Sequence, residues 1–149
     1  AKRAERAWPV RDAIYAKALV VAGSDWAVVP SVNPWIGIET LVTREQAGGS
    51  EKSFGKSQAI SVLEAIDLFT VNAAQHMNKQ DRLGRIAEGM LADLIVIDRN
   101  PLEIPVSEIH KTQVILTMIE GEVVYQKYNL YWTKYCFQKK SQQVEHSQS

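Results

Sequence analysis

Leu19-Val20-Val21-Ala22-Gly23-Ser24-Asp25-Trp26-Ala27 passes from an unbroken apolar run to polar residues within two positions. A run this short and continuous fits a strand buried on both faces, as in a parallel sheet. Gly23 lets the backbone leave the strand at an unusual angle, which presents the Asp25 carboxylate at the strand's carboxyl end. In α/β architectures that edge is where chemistry is done. The same residues also suit a strand-to-loop cap, in which Asp25 satisfies only neighbouring backbone amides. On these residues alone the cap is the favoured reading, because Asx turns are common; the wider context reverses it.

Working outward, residues 1–17 read as a helix, with Pro9 in the first turn and Val10, Ala13, Ile14 and Ala18 on one face. Residues 26–58 show no clear period and carry Pro30, Pro34, Gly37, Gly48, Gly49 and Gly55, with a short helix expected around 37–44. A loop of this length in a compact domain is commonly functional. Ser61-Val62-Leu63-Glu64 is a capping box, and it opens a helix expected over 62–76 with Leu63, Ile66, Thr70, Ala73, Ala74 and Met77 on its apolar face. Residues 78–91 are charged, with Gly84 and Gly89 as turn sites. Leu94 to Asp98 reads as a strand stopped by Asn100-Pro101, and 105–110 as a connection with one helical turn. Val114–Ile119 and Val123–Tyr125 flank Glu120-Gly121-Glu122, a hairpin signal. Three short strands cannot hide both their faces, so this sheet needs a partner from elsewhere.

Formal net charge is zero, from 17 basic and 17 acidic residues among 149, which argues against a global pull toward nucleic acid or an anionic membrane. The lone cysteine, Cys136, excludes an intrachain disulfide and a cysteine-based zinc site, and is compatible with a cytoplasmic location. No apolar run approaches the ~20 residues of a membrane span. The opening Ala1-Lys2-Arg3-Ala4-Glu5-Arg6 has no following h-region and no initiator Met, so the chain is expected to begin in the middle of something. Beyond residue 126, Tyr128, Tyr131, Trp132 and Tyr135 form an aromatic stripe at helical spacing. It suits a helix docked on the body; base stacking assisted by Lys127, Lys134, Lys139 and Lys140 is the sharper alternative. Residues 141–149 have the composition of a disordered tail.

Two motifs coincide in order. Gly23-Ser24-Asp25-Trp26 is followed by Asn33-Pro34-Trp35; then come Asn72-Ala73-Ala74, the run Asp81-Arg82-Leu83-Gly84-Arg85-Ile86-Ala87-Glu88-Gly89, and Ala92-Asp93-Leu94-Ile95-Val96-Ile97-Asp98. Together they resemble the carboxyl-terminal part of the metal-dependent amidohydrolase superfamily, in the branch of N-substituted formamide deformylase and the exoenzyme regulatory proteins. The resemblance covers roughly residues 8–126. It implies an α/β fold in which 19–23 is the last strand of a (β/α)₈ TIM-like barrel and 62–76 the helix after it. Residues 1–91 would be the carboxyl-terminal portion of that barrel. Residues 92–126 would be strands of a small β-sandwich completed by the amino-terminal segment, and 127–149 a separate tail. Lys17 and Met90 depart from the family pattern, which there has a helix-ending glycine and a lysine.

The resemblance also assigns chemistry. Asp25 matches the aspartate at the end of the eighth strand, which binds a catalytic divalent metal, zinc being expected, or takes a proton from the metal-activated water. Ser24 and Trp26 match as supporting residues at the substrate mouth, and Trp35 is a further mouth candidate. The family's other metal ligands include a His-x-His pair on the first strand, whereas His76, His110 and His146 form no such pair and none precedes Asp25. A metal site needs about three or four protein ligands, so this chain alone is expected to lack a complete one. The implied function is hydrolysis of a non-peptide C–N bond in a small amide-like molecule, without nucleic-acid or membrane partners. The alternative is a catalytically inactive oligomerisation or interaction module, joined through unpaired strand edges to copies of itself or to the missing barrel portion.

Overall fold

The computed structural model describes residues 7–127. The expected first helix is short: α1 spans Val10–Tyr15, with Pro9 just ahead of it. Val10, Ala13 and Ile14 are half-buried as the periodicity requires, but Ala18 is exposed. The helix ends in a Schellman turn, Ala18 N–H donating to Ala13 O at 3.0 Å and Lys17 N–H to Ile14 O at 2.9 Å. Lys17 occupies the left-handed position, φ 62°, where a Cβ costs roughly 1 kcal/mol and glycine costs nothing sterically. Lys17→Gly is therefore expected to raise stability by up to about 1 kcal/mol in chemical denaturation; an unchanged or lower midpoint would show that the lysine compensates elsewhere.

Residues 18–24 contain no helix or turn, and they pair with no strand among the described residues. The expectation of a strand buried on both faces is corrected here. A strand is defined by its neighbour's ladder, and no parallel neighbour lies among the described residues. Burial instead alternates: Val20, Ala22 and Ser24 are half-buried while Leu19 and Val21 are exposed. The inner face is fixed by Ala22 N–H donating to Leu68 O (3.3 Å) and by Asn72 Nδ2 donating to Val20 O (2.9 Å).

The long loop is more ordered than its glycines and prolines suggest. Helix α2 spans Pro34–Thr43. Pro34 fits a first helical position, and Asn33 Oδ1 accepts the Trp35 amide at 3.0 Å. A 3₁₀ turn at Lys56–Gln58 precedes the capping box. There Ser61 Oγ accepts from Glu64 N, and Glu64 Oε2 accepts from the Ser61 amide at 2.8 Å. The Ser61 amide first, and its hydroxyl second, hold the Glu64 carboxyl below the usual carboxylate range.

The helix expected over 62–76 is two helices, α3 Val62–Phe69 and α4 Val71–His76, broken at Thr70. Its expected apolar face is only partly the buried one: Ala74 is buried and Ile66 and Ala73 are half-buried. Ala65, Leu68 and Ala74 are buried, whereas Leu63 and Met77 are 59% and 64% exposed. Thr70 has φ −122° and ψ −87°, which no helix continues through, so one spacing rule could not describe both halves. α4 ends in a second Schellman turn, with Asn78 left-handed at φ 55°.

The sheet is antiparallel, in the order β1 (Leu94–Ile97), β2 (Val114–Ile119), β3 (Glu122–Gln126). Leu94 pairs with Met118 and Ile119 with Glu122. Glu120 and Gly121 both have positive φ, 50° and 85°, the conformation of a two-residue type I′ hairpin. At the end of β1, Asp98 Oδ1 accepts from the Gln113 amide at 2.9 Å, and Asp98 pairs with Arg99. The Arg99 guanidinium foremost, then the Gln113 amide, pull the Asp98 carboxyl down to about 2. Between β1 and β2 lies the expected helical turn, a 3₁₀ helix over Val106–Lys111.

Its buried residue Ile109 joins Trp35, Ile38, Ile60, Ala65 and Leu68 in one core, with Val20, Ala22 and Ile97 against it. The core thus sits between α2, α3 and the 3₁₀ turn. The sheet contributes little to it: Ile95, Val96, Ile119, Val124 and Tyr125 are all exposed.

Candidate active site

Asp25 sits where the extended segment ends. Its backbone is left-handed, φ 54°, a region aspartate tolerates better than most residues. The turn that follows is closed by Val28 N–H donating to Asp25 O at 2.8 Å. Ser24 Oγ accepts the Trp26 amide at 3.3 Å. The side chain that satisfies a backbone amide here is therefore Ser24, and the exposed Asp25 carboxylate has no hydrogen-bond partner among the described residues. The structure thus brings Ser24, Asp25 and Trp26 together at one segment end, with Trp26 66% exposed.

Trp35 stands apart from that group. It is 7% exposed and packed in the core, with little surface to offer a substrate. His76 is the last residue of α4 and is exposed. There a cationic ring would oppose the helix dipole's negative end favourably. His146, Cys136 and the aromatic stripe of the tail lie outside the described residues.

No group of three His, Cys, Asp or Glu that could hold a metal ion is found among the described residues. One exposed carboxylate does not fit a divalent ion by itself, because a protein site takes about three ligands or more.

A different cluster escaped the sequence reading. Glu39, on α2, is 0% exposed and accepts three hydrogen bonds. Oε1 takes the Gly48 amide at 2.6 Å. Oε2 takes the His110 amide at 2.7 Å and lies 2.7 Å from His110 Nδ1. A buried carboxylate thus ties α2, the 46–49 turn and the 3₁₀ turn together. One signal was available: with Trp35, Ile38 and Val42 marking the inner face of α2, Glu39 falls on that same face. Buried charge at such a position requires partners.

Helices behind an extended segment ending in Ser24-Asp25-Trp26, followed by a small antiparallel sheet, make up a fold similar to a known hydrolase class. The crystal structure of an amidohydrolase from Thermotoga maritima MSB8 superposes with a TM-score of 0.59, covering 79% of this chain and 26% of that one. At 20% identity the likeness is one of fold alone. Sequence identifies the family: residues 1–125 match the amidohydrolase family, and the chain belongs to it. It is 32% identical to "Putative amidohydrolase YtcJ" of Bacillus subtilis (strain 168) over 115 residues, 76% of this chain. It is 28% identical to N-substituted formamide deformylase of Arthrobacter pascens over 123 residues, 80% of this chain. The chain spans 22% of the length of each of these relatives.

Proposed function

We propose that this chain supplies the strand-eight carboxylate, Asp25, to an amidohydrolase acting on a non-peptide C–N bond of a small amide-like molecule. The supporting observation is the unpartnered Asp25 carboxylate, held at the end of a segment that Leu68 and Asn72 anchor from behind. In this reading 1–91 is barrel, 92–126 sandwich and 127–149 tail, with Ser24 and Trp26 shaping the mouth. Water adds to the carbonyl carbon, Asp25 takes a proton from that water, and the same proton goes to the nitrogen as the C–N bond breaks. The acid and amine products account for every atom of amide and water. The described residues do not hold the divalent ion that the family implies, zinc being expected, so no step is drawn through it.

The test is hydrolysis of a panel of N-substituted formamides by the chain joined to the barrel portion that would complete the metal site, with zinc added, following the amine released. Asp25→Asn is expected to lower the rate about a hundredfold, the low end of what a positioned base contributes, with an unchanged circular dichroism spectrum. A completed wild-type assembly that turns over nothing, or an Asp25→Asn variant of equal rate, overturns the reading.

A second reading has an observation in its favour. Leu19 and Val21, at 45% and 39% exposed, line one face of an unpaired extended segment, and the sheet is solvated on apolar positions. Unpaired edges of this kind recruit strands. An inactive chain with the mass of a dimer or larger by light scattering would favour an association module derived from the fold.

A further inference from the structure

An open cleft of about 610 Å³ lies away from Asp25, and none of Ser24, Asp25, Trp26 or Trp35 lines it. Arg44 does, although only 7% of that residue is exposed. Its backbone is left-handed, φ 58°, an unusual place for a long side chain. Its guanidinium is held by two neutral acceptors: Nε donates to Phe54 O at 3.0 Å and Nη2 to Ala7 O at 3.0 Å. No carboxylate pairs with it among the described residues, and Nη1 has no acceptor there. Burial lowers the Arg44 pKa from its ordinary value, but a guanidinium remains charged in proteins. A partly desolvated cation without a counter-charge is costly, and an anion reaching its open nitrogen relieves that cost.

The cleft's other charges do not relieve it. Glu45 is engaged with Lys56 at 2.8 Å, and Glu51 and Lys52, both lining the cleft, are of opposite charge. The same cleft is lined by two aromatic residues, Phe54, whose carbonyl holds Nε, and Trp8, which follows Ala7 in the chain; they are 75% (Trp8) and 52% (Phe54) exposed. A fixed guanidinium that shares a cleft with two exposed aromatic residues suits an anion with a flat apolar body.

We infer that this cleft binds a small carboxylate with an aromatic body, its carboxylate on Arg44 and its ring against Trp8 and Phe54. The inference does not depend on hydrolysis at Asp25, since the two sites share no residue.

The experiment is calorimetric titration of the folded chain with benzoate, and with benzamide as the neutral analogue of the same shape. Benzoate is expected to saturate one site per chain and to bind at least about tenfold tighter than benzamide, because charge-assisted hydrogen bonds are the stronger kind. Trp8→Ala, at an exposed position, is expected to weaken benzoate about tenfold without lowering the melting temperature. Lys52→Ala is expected to leave the affinity within about twofold, as a solvated lysine contributes little. Absence of saturable benzoate binding, equal affinity for benzamide, indifference to Trp8→Ala, or loss on Lys52→Ala would each overturn the assignment.

Discussion

Replacing Glu39 by alanine is expected to destabilise the fold by about 3–5 kcal/mol, the scale of breaking a buried charged network by removing one partner. The carboxylate is wholly buried and accepts from Gly48 N–H, His110 N–H and His110 Nδ1. Alanine leaves two backbone amides without acceptors, and each such orphan costs about 1–3 kcal/mol. It also leaves space that α2 and the 3₁₀ turn must close or tolerate. Glutamine is the sharper control because its volume is nearly that of glutamate. Its single oxygen can face Gly48 or His110 but not both, so its NH₂ meets an N–H on the other side. Glu39→Gln is therefore expected to cost about 2–3 kcal/mol despite the conserved shape. His110→Ala should cost less, about 1–2 kcal/mol, since it deletes one ring contact and keeps the backbone amide. Urea denaturation of the three variants gives the ordering. A Glu39→Ala variant within about 1 kcal/mol of wild type would mean that solvent satisfies those amides, and the tie between α2 and the 3₁₀ turn would be discarded.

The parts of this architecture that were legible in the sequence were those written in local chemistry. The Ser61/Glu64 capping box marks the start of α3, and Glu120-Gly121 marks the β2–β3 turn, because both signals act within a few residues. The spacing suggests α2 only from residue 37, although Asn33-Pro34 announces it three residues earlier; the surrounding glycines and prolines mask a sound N-terminal signal. What could not be read were outcomes of distant partners. Whether 19–23 becomes a strand depends on a neighbouring ladder, and no local pattern supplies that. The burial of Glu39 depends on His110, 71 residues away, and the break at Thr70 depends on what packs against it. At the candidate site, Ser24, Asp25 and Trp26 are proposed from the motif alone, whereas the burial of Trp35 follows from where α2 docks.

That packing at the Thr70 break makes Gly84→Ala the second substitution with a large expected cost, about 2–5 kcal/mol. Two causes add. Gly84 has φ 94°, where any Cβ is strained, typically by about 1–2 kcal/mol. A Cβ there would also lie 2.8 Å from the Ala74 Cβ, 3.1 Å from the Val71 Cα and 3.2 Å from the Thr70 carbonyl oxygen. None of these is the end of a flexible side chain, so the loop or the start of α4 must move, and overpacking of this kind costs about 1–3 kcal/mol. Gly89 separates the two causes within the same loop. Its φ is 83°, but a Cβ there would meet nothing within 4 Å. Gly89→Ala should thus report the backbone cost alone, about 1–2 kcal/mol, and the excess at Gly84 reports the close approach. The helix break and the glycine are then one device: Thr70 interrupts α3 and α4 where the 82–85 turn comes against them, and glycine is the residue that lets it come so near. Equal costs at the two positions would show that the turn stands off from the break, and the interruption at Thr70 would need another cause.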